Sequence, residues 1–122
     1  LQLDNIIILG ATGMREDHAI ANTALLSQYS SIFKNIAIIS DYGIFTVNNG
    51  KNIVKTIQGQ QISFFSLHPD TIINCTGLKW NLDNFKCALW HNGTLNEAVS
   101  NTIDINSNAP VLIYRAFCIK NS

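Results

Sequence analysis

NIIILGATGMREDHAIAN, residues 5–22, runs from the apolar stretch Ile6 to Leu9 through Gly10-Ala11-Thr12-Gly13 into Arg15-Glu16-Asp17-His18. An apolar run without alternation suits a parallel-type strand covered on both faces. The glycines suit a tight turn, and the acids suit the first turn of a helix from about Glu16 to Tyr29. A strand, a glycine turn and a helix start in that order make an anion site, because the first helical N–H groups are unpaired and the dipole is positive there. Arg15 adds a guanidinium fork matched to phosphate oxygens. Asp17 adds a carboxylate able to hold a magnesium ion or a substrate hydroxyl. The spacing is neither Gly-Lys-Ser/Thr nor G-x-G-x-x-G, so the residues alone leave a plain capped helix as an equal reading.

Working outward, Ala21, Ala24, Leu25 and Gln28 fall at helical spacing and define the expected packed face, with Asn22, Thr23 and Ser27 around the other side. Asn35 to Ser40 is a second apolar strand, so residues 5–40 form a strand–helix–strand unit with a right-handed parallel crossover. After Asp41 the pattern changes, and the domain boundary is placed there. Gly43 to Val47 and Asn52 to Ile57 flank Asn48-Asn49-Gly50-Lys51, a hairpin signature. Short strands follow at Ile62–Leu67, Thr71–Thr76, Asn101–Ile105 and Val111–Phe117. Gly59, Pro69-Asp70, His91-Asn92-Gly93 and Asn106-Ser107-Asn108 supply the turns. Residues 83–90 read either as one helical turn or as irregular chain. The fold class expected is an α/β remnant followed by an all-β antiparallel sandwich or barrel, mainly β overall.

The composition removes several functions. Eight basic and eight acidic residues cancel, so no nucleic-acid footprint is present. Hydrophobic residues make up 47% and charged residues 13%, low against roughly 25% charged in soluble domains, which suggests surface covered by a partner. Cys75, Cys87 and Cys118 include no C-x-x-C pair and read as reduced structural thiols of a cytoplasmic protein. No apolar run approaches the roughly 18 residues of a membrane span, and no signal peptide is visible. His18, His68 and His91 lie apart, without zinc-ligand spacing. Ser66 and His68 have no supporting triad motif. The opening Leu1-Gln2-Leu3-Asp4 runs at once into a core-grade strand, which reads as a segment of a longer polypeptide.

Three stretches carry a resemblance. GATGMREDH (residues 10–18) is similar to the G-x-x-G-R-x-D-H segment of thiamin pyrophosphokinases, TGLKWNL (76–82) resembles their TGLKW-NL segment, and GTLNE (93–97) resembles their G-x-S-N-E segment. They occur in the family's order and span most of the chain. The resemblance implies that residues 1–42 end an α/β nucleotide-binding domain and that 43–122 form a β-sandwich thiamin-binding and dimerisation domain. It implies transfer of pyrophosphate from ATP to thiamin, giving thiamin diphosphate and AMP, with Mg2+ as cofactor. It also implies a homodimer whose sites are built from both chains.

Carried over residue by residue, Gly10, Gly13, Arg15 and His18 would bind phosphate, Arg15 and Asp17 would be catalytic, and Asp17 would hold the metal. Asn96, Leu95 and Trp80 would line the thiamin side. For Trp80, packing and ligand contact stand level, whereas Trp90 is assigned to the core. The departures are Met14 for a glycine, Leu95 for a serine and Ala98 for an aromatic. The family's aspartate-rich D-G-D-x-D-S segment has no counterpart, so these residues alone are expected to be inactive. The competing reading is a non-catalytic β-sandwich ligand-binding or interaction module.

Overall fold

A computed structural model describes residues 5–9, 16–29, 35–66, 68–90 and 92–119. Strand β1 (Asn5–Leu9), helix α1 (Glu16–Tyr29) and strand β2 (Asn35–Ile39) come first. β1 and β2 pair in parallel, Asn5 opposite Asn35 and Leu9 opposite Ile39, as the apolar runs imply, but β1 is not covered on both faces, since Ile7 and Leu9 on its outer face are exposed. The remaining elements are β3 (Gly43–Lys55), β4 (Gln60–Ser66), β5 (Ile72–Thr76), β6 (Leu82–Lys86), β7 (Gly93–Glu97) and β8 (Thr102–Ile119). All join one sheet in the order β1-β2-β3-β8-β4-β7, with β5 paired to β8 and β6 to β5. The described residues are therefore mainly β, with one short helix.

The expected hairpin at Asn48-Asn49-Gly50-Lys51 does not form. β3 continues through it and pairs antiparallel with β8 along its whole length. Likewise, Asn106-Ser107-Asn108 is no turn, because β8 runs through it as one strand of 18 residues. The two turn signals face each other in the ladder. Asn48 lies opposite Val111 and Gly50 opposite Ser107, which sets Asn49 against Asn108, Ala109 and Pro110. The residue types that make turns also make bulges: Gly50 adopts φ 81°, and Pro110 has no N–H to give a ladder. Buried Asn48 ties the bend, its Nδ2 donating to Ser107 Oγ at 2.9 Å and to Gly50 O at 3.1 Å.

At this bend β3 and β8 pass from one layer to the next. Before it, the first part of β8 pairs with β5; beyond it, the last part pairs with β4. The core lies between the layers, where Ile62, Phe64, Val111 and Ile113 meet Ile73, Cys75, Ile103 and Ile105. A second cluster, Leu26, Ile36, Ile38 and Leu112, packs under the helix. β8 serves both because successive side chains point to opposite faces.

Two further expectations fail. Residues 82–86 form strand β6 rather than a helical turn. The expected helix face is also rotated: Ala21, Leu25 and Gln28 are exposed, while Ala19, Asn22 and Thr23 are half-buried and Leu26 is fully buried. Leu26 decides the rotation, since the cluster of Ile36, Ile38 and Leu112 takes one large side chain from the helix.

Candidate functional site

Because β1 and β2 are parallel and each later neighbour alternates, the C-terminal ends of β1, β2, β8 and β7 share one rim with the starts of β3 and β4. The helix must return from the end of β1 to the start of β2, so its first turn lies at that rim. There Asp17 and His18 are exposed, and Asp17 Oδ1 accepts the His18 backbone N–H at 2.9 Å. Gly10, Gly13 and Arg15 lie outside the described residues.

The opposite side of the rim is built by residues 77–81 and the end of β7. Gly77 turns the chain at φ 90°, and a side chain there would meet the Thr102 carbonyl oxygen at 2.7 Å. Leu78 is buried and bridges to Ala98. The Lys79 N–H donates to Glu97 O at 2.8 Å and the Val99 N–H to Gly77 O at 2.9 Å, while the Leu78 N–H donates to Asn81 Oδ1 at 3.0 Å. These bonds fix the backbone that presents Trp80, whose side chain is nevertheless 57% exposed. The Lys79 ammonium stands 4.8 Å from the ring centroid, a cation–π distance.

Asn96 is only 8% exposed. Its Oδ1 accepts the Glu97 N–H at 2.9 Å and the Trp80 N–H at 3.3 Å, and its Nδ2 donates to Trp80 O at 2.8 Å. Leu95 sits in a bulge, with Ile62 opposite Asn96 but Phe64 opposite Gly93. It adopts φ 65°, an unfavourable left-handed conformation for leucine, and its side chain is 82% exposed. Its N–H donates to Ser63 Oγ at 3.1 Å. The structure thus brings Trp80 and Asn96 together; Leu95 stands next to Asn96 on β7 with its side chain exposed, and Asp17 and His18 open the helix that packs over β2, β3 and β8.

Trp90, assigned to the core from sequence, is 55% exposed and packs against Phe65 at 5.7 Å between ring centroids. It ends a row through Phe45 to Tyr114 on the helix side of the sheet. Ser66 is no nucleophile, since its Oγ donates to His68 O at 2.7 Å and accepts the His68 N–H at 3.2 Å.

Sequence reasoning missed Lys79, Asn81 and Arg115. For Asn81 a signal existed, an amide closing a glycine turn. Arg115 gave none: its guanidinium donates to Lys55 O, 60 residues away in the chain, at 2.6 Å, and burial pushes its pKa down. Burial, with Asp104 nearby, pushes the Cys75 thiol up to about 12, so neither it nor buried Cys87, also pushed up chiefly by burial, is a nucleophile. An open groove on the outer face of β5 and β6 is lined by Asn74, Asn81, Asp83, Asp104 and Asn106, with Lys51. Among the described residues no three His, Cys, Asp or Glu gather as a metal centre, and no helix is long and apolar enough to cross a membrane.

Residues 43–114 match the family model described as "Thiamin pyrophosphokinase, substrate-binding domain". Thiamine pyrophosphokinase 1 of Oryza sativa subsp. japonica is 33% identical over 84 residues, which cover 65% of this chain and 31% of the rice protein. The fold is similar to the crystal structure of thiamine pyrophosphokinase from Bacillus subtilis, with a TM-score of 0.81 at 22% identity over 97% of this chain and 58% of that one. Thiamin pyrophosphokinase from Candida albicans gives a TM-score of 0.81 at 16% identity, over 95% and 45%. The Geobacillus thermodenitrificans thiamin pyrophosphokinase gives 0.72 at 25%, over 93% and 54%. The chain spans less than two thirds of each of these relatives.

Proposed function

We propose that this chain, which belongs to the thiamin pyrophosphokinase family through the substrate-binding domain at residues 43–114, binds thiamin beside Trp80 and serves its pyrophosphorylation. The observation that carries this reading is the exposed tryptophan on a backbone fixed at every turn, within the matched domain. Lys79 occupies one face of the ring. A flat heteroaromatic ring would therefore take the other face. Leu95, exposed on the neighbouring β7, would add an apolar contact. In the reaction the thiamin hydroxyl attacks the β-phosphorus of ATP, the bond from that phosphorus to the α-phosphate oxygen breaks, and AMP leaves with the electron pair. Arg15 and His18, at the glycine turn of Gly10 and Gly13, would hold the phosphates, and Arg15 would meet their transferring charge. Asp17 would orient the hydroxyl or hold Mg2+. Its carboxylate fits that ion, which takes one or two protein carboxylates and fills its other positions with water and phosphate oxygens. When bound, the ion neutralises phosphate charge.

In the sequence the glycine turn follows β1, while Leu95 and Asn96 lie on β7, at the two ends of the order β1-β2-β3-β8-β4-β7. From β1 to β7 there are five strand spacings, about 24 Å along the sheet at about 4.8 Å each, longer than thiamin. The reading is therefore a homodimer in which residues 1–42 of one copy face the thiamin side, residues 43–122, of the other. Reduced buried thiols agree with a cytoplasmic setting. The non-catalytic reading draws on one observation, the lack of a described acidic cluster. Calorimetric titration of thiamin into the purified chain tests the binding. Trp80→Ala should weaken it roughly ten-fold, in the range of a lost aromatic contact. Wild-type chain that takes up no thiamin at millimolar concentration refutes the reading. Thiamin-dependent AMP release is expected to be absent from these 122 residues alone, because the family's aspartate-rich segment has no counterpart in them.

A further inference from the structure

We infer that Asn96 is a positioning residue, which acts on the ligand through Trp80 instead of touching it. The inference rests on the thiamin reading of this rim, although its structural half stands without it. The side chain of Asn96 faces inward on β7, beside Ile62 of β4. Both ends of its amide are turned to the chain: Oδ1 receives the N–H groups of Glu97 and Trp80, and Nδ2 is given to the carbonyl of Trp80. The amide thus reproduces a strand partner for one residue, taking its N–H and its C=O together. Only a side chain with donor and acceptor on one planar group does this. An aspartate keeps the acceptor and loses the donor; a leucine of similar size has neither.

The geometry explains how a tryptophan can be more than half exposed and still be held. Without the clamp, the Trp80 peptide unit would be tied only through its neighbours, by Lys79 N–H to Glu97 O and Leu78 N–H to Asn81 Oδ1. The ring would then sample more orientations, and each must be given up when a flat ligand stacks on it. Pre-ordering that platform removes this loss before binding. Asn96 therefore sets affinity for any ring stacked on Trp80, whatever polar groups that ring carries.

The test uses the whole chain with Trp90→Phe, which leaves Trp80 as its one tryptophan. Time-resolved fluorescence anisotropy reads the motion of Trp80 without ligand, and quenching by added thiamin reads affinity. Asn96→Asp and Asn96→Ala are each expected to at least double the anisotropy lost on the sub-nanosecond scale and to weaken thiamin binding about ten-fold. In Asn96→Asp the mobility should fall back as pH drops through the carboxyl pKa, since a protonated carboxyl regains a donor for Trp80 O, while wild-type chain stays flat. A general loosening of the fold would not be reversed by acid. Weakened thiamin binding with unchanged Trp80 motion overturns the inference and makes Asn96 a direct ligand; unchanged motion and binding overturn it as well. If Asn96→Ala fails to fold, the near-isosteric Asn96→Asp decides through its pH profile. If thiamin leaves wild-type Trp80 fluorescence untouched, the thiamin reading fails, and the anisotropy alone still decides the clamp.

Discussion

Gly77→Ala, set beside Gly50→Ala, separates backbone strain from close approach. Both glycines have positive φ, 90° and 81°. Around Gly50 an added Cβ would meet nothing within 4 Å, whereas at Gly77 it would stand 2.7 Å from Thr102 O and 3.3 Å from Ile103 Cα. Those atoms belong to the backbone of β8 and cannot swing aside. The left-handed conformation costs alanine about 1–2 kcal/mol at either site. Forced overlap in a packed interior adds about 1–3 kcal/mol at Gly77 alone. Gly50→Ala should therefore lose about 1 kcal/mol and Gly77→Ala about 3 kcal/mol. With a urea m-value of about 2 kcal/mol/M, the two midpoints should differ by about 1 M. Equilibrium urea unfolding followed by far-UV circular dichroism measures this. Thiamin affinity should fall only in Gly77→Ala, because that glycine starts the turn that presents Trp80. Equal midpoints for the two variants would refute the argument that close approach, rather than φ, makes Gly77 obligatory.

In the active enzyme Arg15→Ala should lower turnover roughly 100-fold or more, as for a lost transition-state donor, and Arg15→Lys should not restore it fully. Asp17→Asn should be deeply impaired if the carboxylate holds metal; a mild loss returns Asp17 to the role of helix cap, with about 1 kcal/mol of stability as its whole effect. For Cys75 the folded pKa is raised, so its contribution is complete below the ordinary thiol value and lost as pH rises toward about 12. Between about pH 9 and 12 the unfolding free energy of wild-type chain should fall about 1.4 kcal/mol per unit more steeply than that of Cys75→Ala, a difference readable from urea midpoints. Sedimentation equilibrium should give twice the chain mass of 13.5 kDa, and a particle of that single mass at millimolar concentration would remove the two-chain site.

The first three elements were legible because Ile6–Leu9 and Asn35–Ile39 are apolar without alternation, the pattern of parallel strands, although β1 is covered on one face alone, with Ile7 and Leu9 62% and 73% exposed. What misled was chemistry with two uses. Asn-Gly supplies a left-handed residue, which a hairpin turn and a bulge both need, and only the distant partner β8 decides between them. β6 and β7 were invisible for another reason. LDNFK and GTLNE are polar and carry Asn84 and Leu95 at φ 47° and 65°, so neither alternation nor β-propensity marks them. The helix misled through Asn22 and Thr23, whose polarity placed them outward, although one leucine against the sheet is enough to orient a short helix. At the site, Trp80 and Asn96 stood out through likeness to a motif. Their hydrogen bonds join residues 16 apart, and no local pattern encodes such a pairing.

The facing bends of β3 and β8 bear on the order in which the chain can fold. Native pairing of β3 joins Gly43 to Ala116 and Lys55 to Thr102, long spans whose closure is entropically costly and slow. The hairpin suggested by Asn48-Asn49-Gly50-Lys51 needs no distant partner, and such hairpins form within microseconds. The same eight or so residues are therefore offered a quick local partner and a late correct one. Buried Asn48 tells the two outcomes apart, because its bond to Ser107 exists only once β8 has arrived. That amide belongs to the final commitment of the sheet, and the pairing of β3 with β8 is the step at which a local habit of the sequence yields to the whole.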